Sequence, residues 1–467
     1  MPFKYHPPTR KDCKRCEEIE KKHIEPVIGT WKGRASSADN FAFHNWYNFV
    51  LGYTPAFPNY VIEKEGINKS HFVVDPFMGS GTTMVCCKEL GIKSAGIDAN
   101  DYFSLVAKAK LDWDLDLDEL ESVVKKLAKN LEKKFASYDW QIGGDSEQKD
   151  IASGNSKLKN FNEIIEKSDI EHIPEKYICK VPLAKLILIQ TEISNLRKTI
   201  VDEKIHNVLL VALSAIAVPS SNVYYGPGFG VRKKARENVD VLSLFTKKID
   251  RMVDDLKNSN KSLRKISAKT YLGDAREMSK LLKPNSVDYM VTSPPYPGDH
   301  EYTKHTRLEL LFLEMAKDLE EFRTIKKRML RGSTTNIYKG DIEGDSISEI
   351  KEIRLVTDEI KKRLDADGGT SGFEKLYTKL VWEYFGGMFK VFEEALRVLK
   401  PGGKFFLLVS DSHAFKMVHI ETAEILALVA KKAGLEVETI DLWQHKNSTS
   451  HKFKLFEEIL VVKKPLN

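Results

Sequence analysis

Two short strings of residues hold most of the chemical potential of this 467-residue chain. The first is Asp75-Pro76-Phe77-Met78-Gly79-Ser80-Gly81-Thr82-Thr83. It follows a β-branched and aromatic run, His71–Phe77, and precedes a helical pattern, Thr82–Leu90, that stops at Gly91. Glycines between a strand and a helix let the backbone approach a ligand closely. The spacing lacks the third Gly of a dinucleotide fingerprint, and no Lys-Ser/Thr follows as in a phosphate loop. It therefore suits an adenosine-like ligand without pyrophosphate machinery. Asp98, at the end of the next strand, can accept both hydroxyls of a ribose. The alternative reading is a packing turn with a loop-capping Asp. The second string is Thr292-Ser293-Pro294-Pro295-Tyr296-Pro297. Its prolines stiffen an extended lip where open α/β sheets bind ligands. The Ser293 hydroxyl and the Pro294 carbonyl offer two acceptors, and Tyr296 offers a flat face, a set that fits a planar amino group. A proline-stiffened surface loop is the bland alternative.

The elements that must position these strings alternate between strand and helix. Strands are expected at His71–Phe77, Lys93–Ile97, Thr270–Asp274, Val287–Thr292, Lys404–Ser410, Glu436–Leu442 and Glu457–Val462. Helices are expected at Thr82–Leu90, Leu380–Leu399 and Ile420–Ala433, with a long, charged, mostly helical stretch from about Tyr102 to Ala268. A turn-rich interruption lies at Gly143–Asn160, and a second polar insertion, about Gly298–Lys375, contains the loop-like Asp365–Gly372. Short apolar strands alternating with helices imply a doubly wound, mostly parallel α/β sheet. The last two strands have no helix between them, so they are expected to form an antiparallel hairpin at one edge.

Asp-Pro-Phe-Met-Gly-Ser-Gly-Thr-Thr followed by Thr-Ser-Pro-Pro-Tyr resembles the amino-methyltransferases that modify exocyclic amines of DNA bases using S-adenosylmethionine. The Ser-Pro-Pro-Tyr form most resembles the cytosine-N4 members; adenine-N6 members more often carry Asp or Asn at the Ser position. Phe43–Phe49 resembles the segment that closes over the methionine part of the cofactor, Gly273-Asp274-Ala275 the motif whose acid reaches the adenine amino group, and Lys400-Pro401-Gly402-Gly403 the turn into the fifth strand. The resemblance implies a seven-stranded methyltransferase sheet with a large helical insertion. The division is 1–105 (cofactor motifs), 106–267 (helical insertion, candidate target-recognition region), 268–300 (catalytic segment), 301–378 (second insertion) and 379–467 (remainder of the catalytic domain). It assigns Asp75, Pro76, Phe77, Gly79, Gly81, Thr82, Thr83, Asp98, Asp274 and Tyr47 to S-adenosylmethionine, and Ser293, Pro294, Pro295 and Tyr296 to catalysis. The implied activity is site-specific methylation of cytosine N4 in double-stranded DNA, as the modification enzyme of a restriction-modification system with a cognate endonuclease. The target base would leave the duplex and its amine would be held ~3–3.5 Å from the methyl group. The same chemistry on adenine N6 or on an amino group of RNA is the alternative, and a non-catalytic, cofactor-regulated DNA-binding protein is the second.

DNA contacts are expected from Ser220–Arg236, where Tyr224, Tyr225 and Phe229 interleave with glycines before Arg232, Lys233, Lys234 and Arg236. A flexible Gly/aromatic loop with adjacent cations suits stacking and phosphate contact; a solvated helix end with a structural turn is the other reading. A second cluster, Lys326, Lys327, Arg328 and Arg331, has the same standing. Cys13-Lys14-Arg15-Cys16 with His23 lacks a second pair at finger spacing, so no metal is expected. Cys86 and Cys87 read as packing residues, and no Pro-Cys dipeptide offers a thiol for attack at cytosine C5.

The composition is compatible with all of this. Hydrophobic residues make up 42% and aromatics 10%, which excludes global disorder. A net charge of only +6 excludes a polycation, so nucleic-acid contact must come from local patches. Five cysteines, unevenly spread, make no disulfide framework. No signal-like segment occupies Met1–His6, and Val208–Val218, the strongest apolar run, is shorter than the ~20 residues of a membrane span, so a buried helix is expected there. These features point to an intracellular protein without membrane association, and the resemblance implies the cytoplasm of a bacterial or archaeal cell.

Overall fold

The computed structural model describes residues 26–30, 42–140, 158–168, 170, 172–226, 228–298, 300–367, 372–447 and 454–466. The Cys13/Cys16/His23 group and most of the turn-rich interruption lie outside the described residues.

Seven strands form the central sheet: β1 (Phe72–Asp75), β2 (Lys93–Asp98), β3 (Ala268–Leu272), β4 (Val287–Thr292), β5 (Leu399–Ser410), β6 (Glu436–Asn447) and β7 (Lys454–Lys463). Their spatial order is β6-β7-β5-β4-β1-β2-β3. The five strands from β5 to β3 pair in parallel, while β7 runs antiparallel between β5 and β6. The α/β sheet and its antiparallel C-terminal hairpin are thus as the sequence predicts. The hairpin enters the sheet through its second strand.

Strand alternation explains how both faces are covered. Val73, Val291, Phe406, Leu408, Ile459 and Val461 point to one face, where they meet α1 (Ala56–Lys64) and the buried Cys86 and Cys87 of α2 (Thr82–Glu89). Their neighbours Val74, Met290, Phe405, Leu407, Leu460 and Val462 point to the other, packing on the long amphipathic helix Tyr377–Val398 and on Thr422–Lys432. A sheet covered on both sides needs near-continuous apolar strands, which is what the sequence supplies.

The stretch after β2 is helical, as expected. Its main elements are α3 (Asp101–Leu111), Leu117–Ala136, Lys180–Arg197, Glu203–Ala215 and Val241–Asn258. These helices share one apolar core with Phe43, Trp46, Met78, Met84 and the segment Leu308–Ile325. The insertion is therefore continuous with the helical layer that supports the Gly79–Gly81 turn. The apolar run at Val208 is the buried part of Glu203–Ala215, and among the described residues no helix is long and apolar enough to cross a membrane. One local expectation is corrected. The Gly/aromatic segment Tyr224–Gly230 is not an open loop but an antiparallel hairpin, Val223–Tyr225 paired with Phe229–Val231. Gly230 permits it, because a Cβ there would lie 2.3 Å from the Tyr224 ring.

Gly96, in the middle of β2, is the tightest point beneath the Gly79–Gly81 turn. A Cβ at this position would fall 2.2 Å from Met84 Sδ and 2.7 Å from Met78 Cβ. Gly96→Ala is expected to destabilise the chain by ~1–3 kcal/mol through overpacking, read as a lower urea midpoint at unchanged slope. A midpoint at or above that of the parent would show that the two methionines yield freely.

Candidate active site

The two strings singled out in the sequence emerge from adjacent parallel strands, β1 and β4, with Val73 opposite Tyr289 and Val74 opposite Met290. Asp75, fully buried, joins them. Its Oδ1 accepts from Thr292 Oγ1 at 2.6 Å and from the Phe77 amide at 3.1 Å, and its Oδ2 accepts from the Tyr53 hydroxyl at 2.6 Å. The Tyr53 hydroxyl also meets Thr83 Oγ1. Burial raises the Asp75 carboxyl above its usual range, and the Thr292 and Tyr53 hydrogen bonds pull it back.

Beyond Asp75 the chain turns through Gly79 and Gly81, whose φ angles of 48° and 87° favour glycine. Nothing lies within 4 Å of where a Gly79 Cβ would stand, whereas one on Gly81 would press on Ala107 at 3.1 Å. The first glycine thus leaves the backbone open to a ligand, and the second lets α3 pack closely. Asp98 sits under this turn, accepting from the Gly79 amide at 2.9 Å and the Asn100 amide at 2.8 Å. Burial pushes its carboxyl up to about 7, against the pull of those two amides. Asn100 caps α3 through the Tyr102 amide and donates to Thr306 Oγ1 at 2.9 Å, fastening the turn to the chain that follows the second string.

In the second string Ser293 Oγ donates to the Leu408 carbonyl at 3.0 Å and lies 3.1 Å from the Tyr296 hydroxyl, which donates to Glu457 Oε1 at 3.2 Å. Both strings open into one cleft of ≈ 280 Å³. Its walls include Phe49–Tyr53, Pro76–Ser80, Thr82, Asp98, Phe103, Gly273–Arg276, Ser293–Tyr296 and Glu457. The fit to S-adenosylmethionine rests on this donor set. A carboxylate stands ready for a ribose, an exposed glycine backbone for a close approach, and Phe77 and Phe103 give apolar walls for a purine.

The remaining candidates separate clearly. Pro76, Phe77 and Thr82 line the cleft, while Thr83 is buried beneath it. Asp274 borders the cleft, but both its oxygens are engaged by the Arg276 guanidinium, with the shortest contact at 2.6 Å. Arg276 in turn reaches Glu343 at 2.8 Å, so Asp274 belongs to an ion network instead of standing as a free acceptor. Tyr47 is buried with its hydroxyl on Glu309 at 2.9 Å; its segment meets the cleft through Phe49 to Tyr53. Of the cations on the hairpin segment, Arg232 lies 5.6 Å over the exposed Tyr224 ring, and Lys233 and Lys234 are exposed. Tyr225 instead turns inward, donating to Glu309 at 2.6 Å, and Arg236 binds the Pro219 carbonyl. In the second cluster Lys327 is exposed, but Lys326 pairs with Glu301 at 3.0 Å. Arg331 is buried, forked onto Asp341 at 2.9 and 3.0 Å and donating to three carbonyls. With its donors consumed internally, it does not present a phosphate-binding surface.

Sequence reasoning missed Tyr53, Glu309 and Glu457. Glu457 carried a usable signal: Glu457-Glu458 are two adjacent acids inside the apolar strand β7, and both are buried. Among the described residues no group of three or more His, Cys, Asp or Glu side chains is placed to hold a metal ion.

Comparison with known proteins agrees with this geometry. The DNA methylase family profile matches residues 24–109, which include the first string and Asp98. The chain is 24% identical to the type II methyltransferase M.BsoBI of Geobacillus stearothermophilus, over 96% of this chain and 90% of that protein. It is 24% identical to the type II methyltransferases M.MjaII of Methanocaldococcus jannaschii, over 72% of this chain and 74% of that protein, and M.MvaI of Kocuria varians, over 77% and 74%. Two strings brought into one cleft by a seven-stranded sheet thus go together with similarity to DNA methylases in the segment carrying the first string and to type II methyltransferases along nearly the whole chain.

Proposed function

We propose that this chain methylates the exocyclic N4 amine of cytosine at a specific sequence in double-stranded DNA, as the modification half of a restriction-modification system. The observation that carries the base assignment is the hydroxyl of Ser293 at the head of the Pro-Pro-Tyr lip, where a carboxylate or amide would stand in the alternative adenine chemistry. The type II names of the relatives support the system assignment, and a cognate endonuclease is part of the same proposal.

S-adenosylmethionine, when bound, supplies an electrophilic methyl group. The chain supplies the rest. Asp98 holds ribose hydroxyls, and the turn at Gly79 admits the ligand against bare backbone. Ser293 Oγ and the Pro294 carbonyl accept the two N–H bonds of the amine, which favours a pyramidal nitrogen with an available lone pair. Pro295 and Tyr296 bound the pocket into which the flipped base enters. Residues 106–267 are the target-recognition region, with Tyr224 on its hairpin and Arg232, Lys233 and Lys234 just after it contacting DNA.

Digestion of DNA treated with enzyme and labelled cofactor, followed by nucleoside mass analysis, is expected to yield N4-methylcytosine. Ser293→Ala and Tyr296→Ala are each expected to lower the rate by about 10²-fold or more while cofactor affinity persists. N6-methyladenine as the product would overturn the base assignment, and full turnover in both variants would overturn the site.

The sign of the pH effect follows from Asp98. Its carboxyl is raised to about 7 by burial, so it is protonated below that pH and loses acceptor capacity for the ribose. Affinity for S-adenosylhomocysteine, measured by calorimetry, is expected to fall as pH drops from 8 to 6, approaching about tenfold per pH unit. Asp98→Asn is expected to bind weakly at every pH. A flat profile in the unsubstituted chain would remove Asp98 from the cofactor site.

A further inference from the structure

Glu457 lies within β7, opposite Ser410 of β5 and Gln444 of β6, and is 2% exposed. A carboxylate so deep in a sheet costs free energy unless its charge is used. Both of its oxygens are engaged: Oε2 accepts from Gln444 Nε2, and Oε1 accepts from the Tyr296 hydroxyl at 3.2 Å. It lines the cleft, as Ser293 does.

We propose that Glu457 is the positioning carboxylate of the methyl transfer, keeping Ser293 an acceptor toward the substrate amine and receiving, through Tyr296, the proton that the amine releases. This rests on the amino-methylation reading above.

The argument is a count of hydrogens. Ser293 and Tyr296 carry one hydroxyl hydrogen each, while three oxygens lie within reach of the pair: the Leu408 carbonyl, Glu457 Oε1 and the other hydroxyl. With the Tyr296 hydrogen on Glu457 and the Ser293 hydrogen on Leu408, Ser293 Oγ presents only lone pairs to the cleft. Without the carboxylate, the Tyr296 hydrogen turns to Ser293 and fills the lone pair that the amine needs. Burial, followed by the charge of Glu457, raises the Tyr296 phenol well above its ordinary range, so it remains a neutral donor.

The same residues carry the proton away once the Ser293 hydroxyl turns from the Leu408 carbonyl to the Tyr296 oxygen, 3.1 Å away. Once methylated, the amine holds one proton too many. Its N–H bond breaks toward Ser293 Oγ, the hydrogen of Ser293 passes to the Tyr296 oxygen, and that of Tyr296 passes to Glu457 Oε1. Both hydroxyls are restored, the carboxylate becomes a carboxylic acid, and no further reactant is required.

The test is single-turnover methylation with enzyme in excess, together with calorimetric dissociation constants for cofactor and DNA. Glu457→Gln keeps the shape and an acceptor but removes the basicity. It is expected to slow transfer by about 10²-fold at unchanged dissociation constants, with Glu457→Asp recovering part of the rate. Tyr296→Phe is expected to do the same, and the double variant to be no slower than Glu457→Gln alone, because both cut one relay. Transfer at the parental rate in Glu457→Gln overturns the proposal, as do multiplicative losses in the double variant or a loss of affinity matching the loss of rate. Should Glu457→Gln fail to fold, parental transfer in Tyr296→Phe overturns it independently. Failure of the parent to methylate any amine would instead remove the underlying reading.

Discussion

The structure turns on one buried carboxylate. Asp75 ends β1, yet its hydrogen bonds run to Thr292 at the end of β4, to Tyr53 ahead of the sheet and to the Phe77 amide inside its own turn. A desolvated acid is tolerated only where donors surround it, so the two turns cannot drift apart without exposing or orphaning it. Parallel pairing of β1 and β4 sets the turns side by side, and Asp75 fixes their separation. That is how the two strings come to share one cleft without a dedicated linker between them.

A second buried acid does similar work at the insertion. Glu309 follows the proline lip in the chain and accepts from Tyr47 at 2.9 Å and Tyr225 at 2.6 Å, while the Leu308 amide donates to the Tyr225 hydroxyl at 3.1 Å. Burial pushes its carboxyl up to about 7, offset by the Tyr225 and Tyr47 bonds. The inward-facing Tyr225 anchors the hairpin whose neighbouring Tyr224 faces out with Arg232 over its ring. The hairpin is thus tied to the segment that continues from Ser293–Tyr296.

Sequence reading reached the parts of the site that are local in the chain. The strand, turn and helix around Gly79–Gly81 lie in one continuous stretch, and so does the proline lip, so residue type and spacing were sufficient. The antiparallel edge was legible because no helix separates its last two strands. What stayed hidden depends on distant pairings. Tyr296 meets Glu457 only because β7 inserts beside β5, and nothing near Tyr53 announces its contact with Asp75. Arg331 looked like part of a basic patch because its neighbours are basic, yet it folds inward onto Asp341. The short hairpin was read as a loop because its strands are brief and rich in glycine.

Thr292→Val tests the central coupling most directly, since Thr292 is fully buried, lines no part of the cleft, and loses only its hydrogen bond to Asp75. Calorimetric affinity for S-adenosylhomocysteine and the single-turnover rate of methylation would be measured on the same folded protein. The account predicts that both fall together, each by about tenfold, the equivalent of one lost buried hydrogen bond of ~1.4 kcal/mol. Unchanged cofactor affinity and rate would contradict the claim that Asp75 holds the two turns in register.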